Sequence, residues 1–541
     1  MDKKVYFCSM KYPIGIQTFE QIIEGGFLYF DKTALVYDIA HAGKIYFLSR
    51  PRRFGKSLLL STIEAYFKGR KDLFKGLAIE SLETEWAEYP VFRIDFNGNN
   101  YEDQNALRQT LESFVANAED EYGKGCNVDT LGDRFRAVLA NAHKKTGRRA
   151  VVLIDEYDKP LLDVMGMPRY AVASDGSRVT MEEWNRETLK GFYSTFKGAD
   201  ADLQFVLLTG VTKFSQITVF SGFNQPDDIS MDERYETICG ITEDELFAKL
   251  EVQIGEMATK YKVTVDEMKH KLKKQYDGYH FSSRMTDMFN PFSILNAFSK
   301  MKLDNYWFRS GSPTYLIRLL EDNNVDLNEM TGKFFTTDMF IDYRADKEVP
   351  LPMIYQSGYL TIKDYDMETE SYMLDIPNDE VRRGFLTLVA SNYLKPQLLT
   401  PAWLLQVVAA LKRGETEELK NLFTSFFASV PYSLRDNKDE RQKEKHFQYT
   451  FYLVTRMISG YTVYAEKQLS EGRLDCSVET QAHVYIFEFK RDGSAEAALQ
   501  QIKDKGYARE YAADHRMVHL IGVDFSSTTG TIDGWKEEMM E

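Results

Sequence analysis

The sequence lacks the cysteine patterns that build disulfide frameworks or zinc sites. Its four cysteines, Cys8, Cys126, Cys239 and Cys476, lie far apart and form neither a paired-thiol motif nor a zinc-ligand spacing. A continuous apolar run of about 18 residues, as a membrane span requires, is also missing. The first residues hold no apolar stretch long enough for a signal peptide. We therefore expect a cytoplasmic protein without a membrane span.

An excess of positive charge is absent as well. The formal net charge is -15 at pH 7, which excludes a surface that coats nucleic acid along its whole extent, because such binding depends on neutralising phosphates. Any contact with nucleic acid must be local. Internal repeats and low-complexity tracts are missing too, whereas 43% hydrophobic and 13% aromatic residues supply enough apolar surface for folded domains.

The length predicts several domains, because single hydrophobic cores stop growing at roughly 250 to 300 residues and the chain has 541. A charged stretch at 435–445 is either a linker or the solvated start of a helix. Pattern changes along the chain predict an α/β domain over 1–235, a helical lid over 236–330, a winged-helix-like and helical region over 331–435, and a second α/β domain over 436–541.

Four short apolar runs punctuate the first of these domains, at 45–49, 90–96, 150–154 and 204–209. Segments with helical patterning, such as 57–68, separate them. Nearly continuous apolar strands that alternate with helices predict a parallel sheet covered on both faces.

A phosphate-binding loop is predicted directly after the first run, where the sequence reads SRPRRFGKSLLL. The strand, loop and helix context is the one such a loop requires. Lys56 would reach the β and γ phosphates, the Ser57 hydroxyl would bind Mg²⁺, and Gly55 would let the backbone approach closely. The predicted nucleotide contacts from this segment are Arg52, Arg53, Phe54, Gly55, Lys56, Ser57 and Leu58.

Three arginines stand in this loop, and one of them departs from the general pattern. Arg50 stands where the first glycine is expected, so a basic helix N-terminus on the surface is the alternative interpretation of the segment. Arg52 and Arg53 could stabilise charge on the γ phosphate, contact an acid such as Asp158, or pack on a neighbouring domain.

A second motif, VVLIDEYDKP, supports the first, because a buried strand that ends in two carboxylates is costly unless the carboxylates have a function. Asp155 would hold the magnesium ion, and Glu156 would orient or deprotonate the attacking water.

Four polar residues nearby have open roles. Asp158 and Lys159 could pair with each other or face the nucleotide, and the ion pair is preferred. Thr209 and Thr212 follow the fourth apolar run, where ligands bind in parallel sheets, so either could sense the γ phosphate or simply cap the strand.

Four segments together resemble the AAA-ATPase-like family found widely in gut and anaerobic bacteria: FLYFDKTALV, FLSRPRRFGKSLLLSTIEAYF, LIDEYDKPL and LLTGVTKFS. That family has arginine in the same loop, which accounts for Arg50. The segments YDGYHF, NPFSIL, YWFRSGSPTYL and YQSGYLTI resemble the middle region of the family. Asp31, Lys32 and Thr33 match a family motif whose role the sequence does not reveal.

A second cluster of chemistry-bearing residues is predicted near the C-terminus. Alternation along 484–490 puts Glu488 and Lys490 on one face of a strand. A hairpin through 479–483 could bring Asp475 beside Glu488. Two carboxylates and a lysine can bind Mg²⁺ and polarise a water for attack on a phosphodiester. The alternative is a half-exposed strand that carries such a pair without function.

The context GRLD, then EFK at the end of an apolar strand, then a helix with Gln501 followed by Tyr507, resembles the PD-(D/E)XK nuclease superfamily. Leu474 stands in place of the proline of that name. The resemblance implies metal ligands at Asp475 and Glu488, a catalytic lysine at Lys490, and a helix acid at Glu444 or Glu466.

The sequence thus predicts an α/β multidomain protein with a P-loop ATPase sheet, a helical lid, a winged-helix-like region and a C-terminal PD-(D/E)XK-like domain. We expect ATP and Mg²⁺ as cofactors and a nucleotide cycle that controls a nuclease acting on nucleic acid, DNA in preference to RNA. The alternatives are a STAND-like signalling switch that responds to a protein trigger and uses an inactive nuclease fold for binding, or a scaffold with two degenerate sites. A homo-oligomer is compatible with either function.

Overall fold

The computed structural model describes residues 10–126, 128–173, 175–214, 226–310, 316, 318, 329–341, 350–394, 401–428, 462–469, 472–512 and 514–540. The chain divides into two compact units, residues 1–323 with 329–381 and residues 324–328 with 382–541. The finer boundaries at 235, 330 and 435 stay predictions. The charged stretch at 435–445 lies outside the described residues. Among the described helices, none combines the length and the apolar character that a membrane crossing needs.

Strands and helices alternate through the first unit. Its strands are β1 (Ile45–Ser49), β2 (Val91–Asp95), β3 (Ala150–Asp155), β4 (Tyr170–Val172), β5 (Arg178–Thr180), β6 (Leu203–Gly210), β7 (Asp227–Asp228), β8 (Ile241–Thr242), β9 (Met288–Phe289), β10 (Lys333–Thr336), β11 (Thr361–Asp366) and β12 (Ser371–Asp375). Its helices are α1 (Phe19–Glu24), α2 (Thr33–Ala42), α3 (Lys56–Phe67), α4 (Ala106–Tyr122), α5 (Leu131–Thr146), α6 (Lys159–Leu162), α7 (Met181–Tyr193), α8 (Thr195–Gly198), α9 (Glu243–Tyr261), α10 (Val265–Tyr276), α11 (Pro291–Lys300), α12 (Tyr306–Arg309), α13 (Thr337–Phe340) and α14 (Leu351–Gln356).

A five-stranded parallel sheet in the order β2-β3-β6-β1-β7 forms the core of this unit. Every residue of β3 is buried, as is nearly all of β6, because helices cover both faces of a parallel sheet. The predicted parallel α/β fold is confirmed. All four predicted strands are present, and the carboxyl ends of β1, β3 and β6 lie side by side.

Helices α9 to α12 form a separate hydrophobic cluster, which includes Leu246, Ile254, Leu272 and Phe298. A capping box begins each of α9 and α10. The Thr242 and Thr264 hydroxyls accept from the backbone amides of Glu245 and Glu267, and the two glutamate carboxylates accept in turn from the backbone amides of the threonines. The helical character predicted from 242 to 300 is therefore present.

A short helix followed by a hairpin, the order predicted for a winged helix, is formed by α14, β11 and β12. A third strand, β10, pairs with β12 and completes an antiparallel sheet in the order β10-β12-β11. Strand β10 could not be predicted from the sequence, because its four residues do not belong to a longer apolar segment.

The second unit is a mixed sheet with helices on both faces. Helix α15 (Asp379–Leu394) begins in the first unit and continues into the second. The other elements are α16 (Pro401–Arg413), α17 (Thr416–Ala428), β13 (Thr462–Leu469), β14 (Gly472–Glu479), β15 (His483–Arg491), α18 (Ala495–Asp504), β16 (Met517–Phe525) and β17 (Ile532–Met539). The sheet order is β13-β14-β15-β16-β17, in which only β15 and β16 are parallel, with α18 as the crossover between them.

Candidate nucleotide and nuclease sites

The loop between β1 and α3 has the backbone of a phosphate cradle. Gly55 has φ 97° and directly precedes the first helical residue, Lys56. Arg53 has φ 69°, a left-handed conformation that non-glycine residues rarely adopt. Backbone strain of this kind persists where the surrounding structure enforces it, and it clusters at ligand sites. The N-terminus of α3 therefore faces the place that a phosphate would occupy.

Lys56 is buried, and its ammonium folds back onto this loop. Nζ donates to the carbonyl oxygen of Arg50 at 2.9 Å and to that of Pro51 at 3.4 Å. It also lies 3.9 Å from the Glu156 carboxylate. Two backbone carbonyl oxygens and one carboxylate thus surround the ammonium of Lys56, and phosphate oxygens could take their place.

The acidic pair sits at the carboxyl end of β3. Asp155 is fully buried and its Oδ1 accepts from the Thr209 hydroxyl at 3.0 Å. Its Oδ2 is buried with no hydrogen bond within the part of the chain that the structure describes. Glu156 has φ 53°, so the backbone turns sharply there and directs this carboxylate toward Lys56. This Oδ2, which accepts no described hydrogen bond and lies 3.5 Å from Arg93 Nη2, is the oxygen that could bind a divalent cation.

Arg93 on β2 belongs to the same arrangement, and sequence analysis missed it. Its Nη2 lies 3.5 Å from Asp155 Oδ2, and its Nη1 donates to Glu64 at 3.0 Å. Because β2 is the direct neighbour of β3, an arginine in an otherwise apolar strand could have been suspected of reaching a carboxylate on β3.

A cavity of about 790 Å³ opens beside the loop. Its lining combines charged and apolar residues. The charged and polar members include Arg52, Arg53, Lys56, Ser57, Glu156, Lys159 and Arg318. The apolar members include Pro13, Ile14, Ile16, Pro291, Phe292 and Leu295. A lining of this composition suits a ligand that carries both phosphate groups and an apolar ring.

The predicted nuclease residues meet on β14 and β15 of the second unit. The antiparallel pairing of β14 with β15 ends at Cys476 and Phe487, so Asp475 and Glu488 are the next residues on the two strands. The carboxylate of Asp475 accepts from the Phe489 amide at 2.9 Å.

Glu488 and Lys490 share the face covered by α18. Lys490 Nζ lies 3.9 Å from Glu488 Oε1 and donates to Gln501 Oε1 at 2.5 Å. The amide of Gln501 in turn donates to Glu488. Glu488 is only 2% exposed, so these contacts fix its position.

Two family models match the chain. One described as predicted AAA-ATPase matches residues 13–220, and one described as PD-(D/E)XK nuclease superfamily matches residues 442–535. A protein of Azotobacter chroococcum mcd 1, described as an uncharacterized protein in the vnfD 5' region, is 34% identical over 536 residues, or 98% of this chain and 99% of the relative. The chain belongs to the predicted AAA-ATPase family. Its architecture is that of an ATPase joined to a nuclease-superfamily domain.

Within this AAA-ATPase, Arg50 points away from the cavity. Its guanidinium is buried, donates to the carbonyl oxygens of Ser230 at 2.7 Å and Ser49 at 2.9 Å, and lies 4.2 Å from the centre of the Phe281 ring. Burial lowers the pKa of this arginine. Arg50 thus anchors the loop from behind, where the general pattern would have glycine.

Phe54 and Arg53 are anchors as well. The Phe54 ring, predicted as a nucleotide contact, is fully buried at 4.8 Å from Tyr279 and 5.3 Å from Phe281. Arg53 lies 4.9 Å from the Phe292 ring of α11 while still lining the cavity. The backbone oxygen of Arg52 accepts from the Trp307 indole at 3.1 Å.

The preferred ion pair between Asp158 and Lys159 is wrong. Lys159 pairs with Asp163 at 2.7 Å, one helical turn away. Asp158 is fully buried and accepts from the amides of Val211 and Thr212 at 2.9 and 2.6 Å. Burial, followed by the charge of Glu156, raises the pKa of Asp158 to about 7. Asp158 therefore clamps the end of β6 to the acidic motif.

Arg318 is a cavity residue that sequence analysis did not identify. Its Nη2 donates to the Asp163 carbonyl oxygen at 3.2 Å, while its Nε and Nη1 are buried with no hydrogen bond to any described residue. No sequence pattern marks it, because it lies far from the phosphate loop along the chain.

The Asp31, Lys32 and Thr33 motif has a structural role. Asp31 accepts from the Thr33 amide and hydroxyl and from the Ala78 amide, all within 2.9 Å. Lys32 lies 2.6 Å from Glu245 at the start of α9. The motif therefore ties α2 to the helical cluster.

The predicted helix acid of the nuclease domain is in part wrong. Glu466 lies on strand β13 rather than on a helix, because its segment pairs antiparallel with β14. Glu444 lies outside the described residues.

Proposed function

We propose that the protein binds and hydrolyses ATP and that its nucleotide cycle controls a metal-dependent nuclease domain that acts on nucleic acid, DNA in preference to RNA. One observation carries the proposal: Lys56 and Glu156 line one cavity beside the N-terminus of α3, and Asp155 directly precedes Glu156 at the end of β3. The membership in the predicted AAA-ATPase family supports it. A cytoplasmic location is part of the proposal.

At the phosphate end, the amides that start α3 and the ammonium of Lys56 would hold the β and γ phosphates. Ser57 and Asp155 would hold Mg²⁺, which supplies charge neutralisation on the phosphates. Thr209 donates to Asp155 Oδ1 at 3.0 Å and Arg93 lies 3.5 Å from Oδ2, so both contacts orient this carboxylate.

The adenine would lie against the apolar lining residues of the segment 13–16 and of α11. Phe292 would supply a flat ring and Leu295 a further apolar contact from the helical cluster. Arg53 belongs to the loop and lies 4.9 Å from the Phe292 ring, so its guanidinium would also contact the ligand.

Hydrolysis would depend on Glu156. ATP would draw Lys56 from Glu156 toward the phosphates, which frees the carboxylate to orient or deprotonate a water. Arg52, Arg53 and Arg318 line the same cavity, and Arg318 has two buried donor nitrogens, Nε and Nη1, without a hydrogen bond to any described residue. It is the best placed to stabilise charge that develops on the γ phosphate.

The ATPase assignment is tested with Lys56→Ala and Glu156→Gln in the full chain. Lys56→Ala should weaken ATP binding, whereas Glu156→Gln should keep binding and lower turnover by about 10² to 10⁴. Glu85→Gln, at an exposed acid that does not line the cavity, is the matched control and should turn over normally. Normal turnover in both test variants would refute the assignment.

In the nuclease domain, Asp475 and Glu488 would hold a divalent cation that polarises a water, and Lys490 would stabilise charge on the phosphodiester. The two carboxylates provide oxygen ligands for the metal ion, and the lysine provides a positive charge beside the phosphodiester. Gln501 would position Lys490 and Glu488 through its two hydrogen bonds.

The nuclease assignment is tested by measuring DNA and RNA cleavage with Mg²⁺ or Mn²⁺, with and without ATP. Asp475→Ala should abolish cleavage and leave ATP hydrolysis intact. Asp504→Asn, on the exposed part of α18, is the control. Absence of cleavage under every nucleotide and metal condition would contradict the nuclease and favour the second candidate.

That second candidate is a STAND-like switch in which the nuclease fold only binds. The net charge of -15 favours it, because it opposes broad contact with nucleic acid. Under this function, ATP would change binding to a protein trigger or to nucleic acid without any cleavage. A homo-oligomer that forms with ATP would be compatible with either function.

A further inference from the structure

Three acidic side chains meet at a place that is separate from both proposed sites. Glu243 is the first residue of α9, Asp277 follows the last residue of α10, and Asp287 precedes β9. One carboxylate oxygen of each lies within 4.8 Å of those of the other two. Helix ends and a strand that are distant along the chain thus bring their negative charges together.

Asp277 is the member that the protein leaves unsatisfied. It is 2% exposed, and both of its carboxylate oxygens are buried without a hydrogen bond to any described residue. A buried carboxylate in that state is costly unless a charge compensates it. Burial, followed by the charge of Asp287, raises the pKa of Asp277 to about 7.

The neighbouring basic side chains make their direct contacts with Glu243 and Asp287. Lys273 contacts Glu243 and lies 3.6 Å from Asp287. His280 bonds Asp287 Oδ1 through Nε2 at 2.8 Å and the Ile362 carbonyl oxygen through Nδ1 at 2.6 Å. His280 therefore orients Asp287, and both of its nitrogens are engaged.

We propose that Glu243, Asp277 and Asp287 bind a hard divalent cation, Ca²⁺ or Mg²⁺. All three side chains offer oxygen ligands, which these cations prefer, and no sulfur ligand belongs to the cluster. A divalent cation can reach the three carboxylates at once, whereas the single ammonium of Lys273 reaches two. The cation would displace Lys273 from Glu243.

Such a cation would brace the joint around the segment 276–281. Tyr279 and Phe281 of this segment pack on Phe54 of the phosphate loop. The His280 amide donates to Thr361 at 2.8 Å and so fastens the segment to β11. We expect the ion to stabilise this joint rather than to take part in chemistry.

The test uses the full chain, free of nucleotide, with Asp475→Ala to remove the metal site proposed in the nuclease domain. Bound ions are counted by equilibrium dialysis against Ca²⁺ or Mg²⁺, and thermal unfolding is followed in parallel. We expect one ion per chain and a midpoint that rises by several degrees at about 100-fold excess over the Kd. The two cations distinguish which member of the class binds.

Asp277→Asn should remove the ion and the rise in midpoint, even though removal of a buried charge can stabilise the ion-free protein. Asp287→Asn, at a carboxylate 40% exposed, should weaken binding at least tenfold without a folding defect. Asp266→Asn, an exposed acid of α10, is the matched control and should bind the ion normally.

Lys273→Gln separates a cation site from a purely structural ion pair. If the lysine competes with the cation, this variant should bind the ion more tightly, and the ion should restore any stability lost. The proposal is overturned if neither cation binds outside the nuclease domain, or if Asp277→Asn and Asp287→Asn retain the ion count of the control.

Discussion

Glu380 gives the first unit a pH dependence whose size follows from the structure. It is the second residue of α15, is 1% exposed, and accepts from the Trp307 amide at 2.7 Å. Burial raises its pKa from 4.5 to about 7. The folded protein therefore holds this proton more tightly than the unfolded chain does. The resulting stability is fully present below about pH 4.5 and is lost as the pH rises to about 7, by up to about 3 kcal/mol.

Glu380→Gln removes the charge and keeps a carbonyl oxygen that can accept from Trp307. We expect the variant to match the wild type near pH 4.5 and to be more stable at pH 8 by up to about 3 kcal/mol. Urea unfolding followed by tryptophan fluorescence at several pH values measures this difference. Asp158 and Asp277 have pKa values raised in the same direction, so the comparison rests on the difference between variant and wild type.

Glu368→Gln, at the exposed turn between β11 and β12, is the control and should leave the pH profile unchanged. If Glu380→Gln is less stable than the wild type at pH 8, or if both proteins lose stability equally between pH 5 and pH 8, the burial argument for Glu380 is refuted.

Two further predictions concern arginines of the ATPase. Arg50→Gly would restore the general loop pattern yet should lower the free energy of unfolding by on the order of 3 kcal/mol. The reason is that the buried carbonyl oxygen of Ser230 loses its donor and the Phe281 ring loses its cation. A variant as stable as the wild type in urea would contradict this. Arg318→Ala should lower kcat for ATP hydrolysis at least about tenfold, with Arg309→Ala, an exposed arginine, as the control that must stay active.

The parallel sheet could be predicted from the sequence, because β1, β3 and β6 are continuous apolar runs and burial on both faces requires such runs. The phosphate loop and the acidic motif were predictable for a related reason. Each is a short segment in which the functional residues directly follow an apolar strand. Because the strands of the sheet are parallel, these residues lie at the same edge of the sheet, which brings Lys56 close to Glu156.

Contacts between distant segments could not be predicted in this way. Arg318 reaches the cavity from far along the chain, and Arg50 finds its partners near residue 230. Asp158 bonds backbone amides of β6 and its following turn rather than the adjacent Lys159. Asp158 and Lys159 are adjacent in the sequence, which favoured the prediction of an ion pair between them. In the fold, Lys159 pairs with Asp163 and Asp158 accepts from backbone amides.

The strand order of the parallel sheet also determines when the protein can fold during synthesis. Among the described strands, β1, which leads into the predicted phosphate loop, pairs with β6 and β7, and Ile45 meets Val206 after about 160 intervening residues. At roughly 5 to 20 residues per second, the ribosome needs on the order of ten seconds to deliver that partner. Throughout this interval the backbone hydrogen-bonding groups of β1 lack the strands with which they pair in the folded protein. The sheet around the predicted phosphate loop can therefore form only after residues 203–210 have been synthesised.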